Sequence, residues 1–190
     1  MEVPLNIIHN YVGLPVIIGV VVDTFRRYRV NRNPTTLYLG WTAVLTAIAL
    51  FFFGIPVLFT QDTWLLSIGT LIGDIALMGM FVFLWFMGIR GTLERWPVIK
   101  NIALFLVVVL AASGVIEAFF RNLSPPYSTH VVANGSGIAI MYKDTLAYQI
   151  ISGINSISLL LLGSFFWRQA YLAPNPGQRL RIKGLAVGFL

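Results

Sequence analysis

Five apolar runs, at about residues 5–25, 37–59, 64–89, 99–120 and 146–170, dominate the chain. Each is close to the ~20 residues that a helix needs to cross ~30 Å of hydrocarbon. Charged residues are 11% of the chain, against about 25% in soluble domains. With 57% hydrophobic residues and a mean hydropathy of +0.82, a soluble core cannot enclose this much apolar surface, so the solvent for most of it is lipid. The fold class expected is all-α: a polytopic transmembrane bundle forming one unit over residues 1–190. The first run is the most interrupted, carrying Asn6, His9, Asn10 and Pro15, and the proline is expected to kink it.

The positive charges give the direction of threading. Arg26, Arg27, Arg29 and Arg32 fall in one connecting stretch, Arg90, Arg95 and Lys100 in another, and Arg168, Arg179, Arg181 and Lys183 in a third. Eleven of the thirteen cations therefore lie in alternate connections, leaving Arg121 and Lys143 for the other side. Basic loops resist translocation, which puts the N-terminus outside and the three basic stretches in the cytoplasm. Trp41, Trp64, Trp85, Trp96 and Trp167 fall near the ends of runs, as an aromatic belt requires. The net charge of +6 is accounted for by these loops, and nucleic acid is not implied. The start of the chain has neither a basic n-region nor a small-residue cleavage site and reads as mature sequence. A bacterial inner membrane is the expected location.

Gly184–Leu190 reads as a sixth span only begun. Seven helical residues cover about 10 Å, and a helix ending there leaves carbonyls unsatisfied in lipid. The chain is expected to continue through a sixth and a seventh span that return it to the cytoplasm. The stretch 121–145 is the one long hydrophilic connection. Its "THVVA" and "IAIMY" flank Asn134-Gly135-Ser136-Gly137, a β-hairpin signal. Asn122-Leu123-Ser124 and Asn134-Gly135-Ser136 match the glycosylation pattern, the first disfavoured by Pro125.

Ionisable groups at membrane depth are costly and are candidates for function. Asp74 lies mid-span in "SIGTLIGDIALMG", beside the small-residue pair Gly69 and Gly73, which lets a neighbouring helix come close. It reads either as a proton- or cation-sensitive site or as a carboxylate bonded across helices. Glu117 has Arg121 at i+4, and Asp23 has Arg26 and Arg27 at i+3 and i+4, both at ion-pair spacing. His130, from the outer loop, would join Glu117 at the outer mouth. On the fifth run Gln149, Ser152, Gly153, Asn155 and Ser156 share an arc of roughly 160° at 100° per residue. This stripe serves helix–helix hydrogen bonding or forms the wall of a ligand pocket facing Asp74. Gly184 and Gly188 repeat the small-residue helix-packing spacing. No cofactor is expected, although His9 is a weak candidate for the axial ligand of haem or chlorophyll. Two histidines and no cysteine give no metal spacing. Walker, G-x-S-x-G, H-E-x-x-H and nucleotide-fingerprint motifs are all lacking. An enzyme is not expected, since helix rise sets Asp74 and Glu117 about 10 Å apart in depth.

In layout, "RRYRVNRNPTTLYLGWTAVL", "WRQAYLAPNPGQRLRIKGLAVGFL" and the outer loop before the fifth run resemble the N-terminal seven-helix sensor region of bacterial histidine kinases and related signalling proteins. The resemblance implies a membrane sensor with a cytoplasmic output domain after the seventh helix, and no catalytic residues in the membrane part. The expected function is a sensor that responds to a small ligand, lipid or proton from the outer side. The alternatives are an accessory subunit of a respiratory or photosynthetic complex, then a small transporter or channel. The expected partners are the bilayer and either a second copy of the chain or other membrane subunits.

Overall fold

The computed structural model describes residues 5–56, 59–60, 62–93, 95–123, 130–134, 137–141, 146–173 and 175–189. These form α1 (Leu5–Asn31), α2 (Pro34–Gly54), α3 (Thr63–Thr92), α4 (Pro97–Leu123), β1 (His130–Asn134), β2 (Gly137–Met141), α5 (Leu146–Leu172) and α6 (Pro176–Phe189). Helices α2 to α5 are each long and apolar enough to cross a membrane, as an integral membrane protein requires. α1 matches α4 in length at 27 residues and runs unbroken through Pro15.

The helix ends follow local chemistry and differ from the apolar runs. α1 continues to Asn31, so Arg26, Arg27 and Arg29 stand on its last turns rather than in a loop. Arg32 ends it with φ at +51° while its N–H donates to the Tyr28 carbonyl at 2.9 Å, a left-handed helix stop made here by a residue other than glycine. Asn33 Oδ1 accepts from the Thr35 N–H at 2.9 Å, and Pro34 follows as the first helical residue of α2; this pairing of cap and proline is a strong helix start. Asp62 caps α3 in the same way, accepting from the Trp64 N–H at 2.8 Å. α2 ends at Gly54, short of the apolar run, because Pro56 cannot continue a helix. α6 starts at Pro176, well before the apolar stretch at Gly184.

Packing is mostly between successive elements: α1 on α2, α2 on α3, α3 on α4, and α5 on α6. The α5–α6 pair touches α3 and α4 more sparsely, and β1 lies against α3. Leu84 of α3 meets Leu162 and Phe166 of α5 in one buried cluster, and Phe81 and Ile89 of α3 meet Val107 of α4 in another. Trp85 belongs to the border of both clusters. It therefore packs against protein, whereas a belt tryptophan holds its ring at the headgroups. Ile102, Phe105, Leu106, Ile116 and Phe120 of α4 are exposed, an apolar face of the kind bilayer lipid covers.

The two strands pair antiparallel, with Val131 opposite Ile140, Val132 opposite Ala139 and Asn134 opposite Gly137. A two-stranded hairpin is marginal by itself, and the contact of β1 with α3 gives it support.

Candidate functional site

Helical spacing assembles the site. On α4, Gly114, Glu117, Ala118 and Arg121 recur at three- and four-residue intervals and so share one face. On α3, Asp74, Leu77 and Met78 do the same, as do Ser152, Ser156 and Leu159 on α5. These three faces, with Ile151, line a partly enclosed cavity of about 230 Å3 at the hairpin end of the bundle.

Asp74 is held on one side of that cavity. Its Oδ2 accepts from Arg121 Nη2 at 2.7 Å and from Asn122 Nδ2 at 3.0 Å. Arg121 Nε donates to Glu117 Oε2 at 3.3 Å, and Asn122 Nδ2 donates also to the Ala118 carbonyl at 2.9 Å. One guanidinium thus joins two carboxylates on different helices. The Arg121 side chain is 3% exposed, those of Glu117 and Asp74 9% and 14%, and Asn122 is wholly buried. Charges this deep interact strongly because little water screens them.

Asp74 and Glu117 are not separated in depth as the helix rise suggests. Two features bring them together. The helix ends are not level: Asp74 lies eleven residues from the start of α3, and Glu117 six from the end of α4. A helical side chain also leans toward its own N-terminus, so Arg121, two residues from the end of α4, reaches back into the bundle.

The close-approach role of the glycines is divided. Gly73 faces α2, where an added Cβ would lie 2.6 Å from Phe53 Cε1, and Gly69 abuts Pro56 and the Phe52 carbonyl. The approach of α4 to α3 relies on Gly114, where a Cβ would lie 2.6 Å from Met78 Sδ. Among the described residues, Gly184 faces open space.

Of the candidate residues, Asp74, Glu117, Ser152 and Ser156 share the cavity. Gln149 is exposed near the start of α5 and is not part of its lining. His130 is on β1 and Asn155 on α5, but their side chains, like that of His9 and the surroundings of Gly188, lie outside the described residues. Asp23 pairs with Arg27 at 2.7 Å on an exposed face of α1, away from the site. Sequence reasoning missed Asn122 and Gly114. Asn122 carries a signal in retrospect, since it continues the helical series from Gly114 through Ala118 just beyond the apolar run that ends near residue 120.

Among the described residues, no group of three His, Asp or Glu is placed to hold a metal ion. In comparison with known proteins, the chain matches no family model, no curated protein and no solved structure.

Proposed function

We propose that this chain is a multi-pass membrane sensor module whose input site is the cavity between α3, α4 and α5. α1 to α5 cross the bilayer with the N-terminus outside, in line with the segregation of basic residues. The hairpin and the cavity then face outward, and the basic stretches bearing Arg95 and Arg168 face the cytoplasm. The observation that carries this reading is the Asp74–Arg121–Glu117 ion cluster beside a cavity whose third wall, α5, is joined more lightly to α3 and α4 than those helices are to each other. A ligand acts only through unequal affinity for two packings, and a lightly joined wall next to buried charge supplies two packings of different energy. Displacement of α5 carries α6 with it, because the two helices pack closely and Lys183 Nζ of α6 sits 5.5 Å from the Trp167 ring and 5.2 Å from the Tyr171 ring.

The test uses the fact that the chain contains no cysteine. Spin labels are attached through Arg95→Cys and Arg168→Cys at the inner ends of α4 and α5, and the inter-label distance is measured by pulsed electron resonance in bilayers. Asp74→Asn should shift that distance by at least the ~1–2 Å of a helix displacement while the helix content by circular dichroism stays unchanged. An identical distance in the folded variant would sink the sensor reading.

A further inference from the structure

We infer that the cavity beside Asp74 binds a small organic monocation, an ammonium or amidinium group on a compact apolar body. This rests on the reading of the cavity as an outward-facing input site.

The exposure of the charged groups decides the sign of the ligand. Arg121 is the cation of the lining, yet its side chain is only 3% exposed and is engaged by Asp74 and Glu117. Asp74 is the more open of the two at 14%. Both of its hydrogen bonds end on Oδ2, so Oδ1 has no partner among the described residues. An entering anion would meet carboxylates, while an entering cation meets an acceptor with unused lone pairs. Ser156 Oγ gives its proton to the Ser152 carbonyl at 2.9 Å, so toward the cavity it offers lone pairs as well.

The rest of the lining decides the shape. Leu77, Met78, Ile151 and Leu159 cover an apolar body, and the polarisable Met78 thioether suits the methylene groups next to an ammonium. At about 230 Å3 the cavity is smaller than the ~300–1,000 Å3 typical of drug-sized ligands, which favours a simple amine. A bare metal cation is poorly served, since it needs several oxygens converging at about 2.0–2.6 Å and the lining is mainly apolar.

The experiment places Ser152→Cys in the full chain, reconstituted in right-side-out vesicles. It compares modification by a cationic methanethiosulfonate (ethyltrimethylammonium) with that by an anionic one of similar size (ethylsulfonate). In both reactions the thiolate displaces methanesulfinate and forms a mixed disulfide. The hairpin position Asn134→Cys serves as the reference for intrinsic reactivity. The cationic-to-anionic rate ratio should be about tenfold higher at Ser152→Cys than at the reference, the scale of local ion focusing. It should fall to the reference value with Asp74→Asn and persist with Asp74→Glu. Butylammonium should slow the labelling, and butanol should not. Should Asp74→Asn fail to fold, Ser156→Arg supplies the same test, because a cation added to the lining should abolish the preference without removing a partner of Arg121. A reference-like ratio with brisk labelling overturns the cation assignment and leaves the open cavity standing. A raised ratio that Asp74→Asn or Ser156→Arg does not change also overturns it. Failure of both reagents at Ser152→Cys overturns the outward cavity itself, and with it the proposed input site.

Discussion

Arg121 Nη2 of α4 lies 2.7 Å from Asp74 Oδ2 of α3, across 47 residues of sequence. Because Nε of the same guanidinium reaches Glu117, removing this one side chain takes the balancing cation from two carboxylates. Arg121→Gln should destabilise the protein by about 3–5 kcal/mol, the cost of leaving buried charge uncompensated. The neutral triple variant Asp74→Asn, Glu117→Gln, Arg121→Gln should recover most of that loss. Equilibrium unfolding in mixed micelles, followed by far-ultraviolet circular dichroism, checks both. Equal losses in the single and triple variants would show that charge is not the cause.

The two close glycine contacts should respond differently to one added methyl group. Gly73→Ala drives a Cβ against the rigid Phe53 ring and should cost about 1–3 kcal/mol, as overpacking does. Gly114→Ala meets the flexible end of Met78, which can swing aside, and should cost less than ~1 kcal/mol. The same unfolding assay ranks them. Phe53→Leu should restore part of the loss in the Gly73→Ala background and none in the Gly114→Ala background.

Threading direction has a simple readout. A membrane-impermeant maleimide added to intact cells should label Asn134→Cys at once and Arg95→Cys only after the cells are opened. Arg95 precedes α4 and Asn134 lies on the hairpin that follows it, so the reverse pattern would turn the molecule over and move the cavity to the cytoplasmic side.

The contact of Lys183 with Trp167 and Tyr171 should hold α6 to α5. Lys183→Met removes a cation–π interaction worth about 0.5–1 kcal/mol at an exposed site. Amides of α6 should then exchange with deuterium about two- to fivefold faster, if α6 opens as a local unit. Lys183→Arg should leave the exchange nearly unchanged.

How far the sequence could be read depends on the reach of each interaction. The apolar helices were legible because the bilayer imposes a length and a polarity on every span. The Glu117–Arg121 and Asp23–Arg27 pairs were legible because both partners lie one helical turn apart. Asp74 was marked as a costly group in need of a partner, and its place beside Ser152 and Ser156 follows from the polar stripe of α5. The partner itself was not legible. Arg121 and Asn122 follow the apolar run, which assigned them to the loop, and a single sequence holds no record of contacts 47 and 48 residues apart. Asn122 was read as a disfavoured glycan acceptor, yet it is fully buried. Helix ends were displaced for a related reason: caps and prolines set them, and these respond to backbone hydrogen bonds rather than to hydropathy.

Most helices here lie against the one made just before them, an order suited to stepwise insertion during synthesis. The Asp74–Arg121 link imposes a delay even within that order. At roughly 5–20 residues per second, the ribosome delivers the arginine several seconds after the acid. For that interval α3 holds its acid in the membrane or the translocation machinery without the cation it will later meet, so the arrival of α4 is the step that commits the growing chain to its final arrangement.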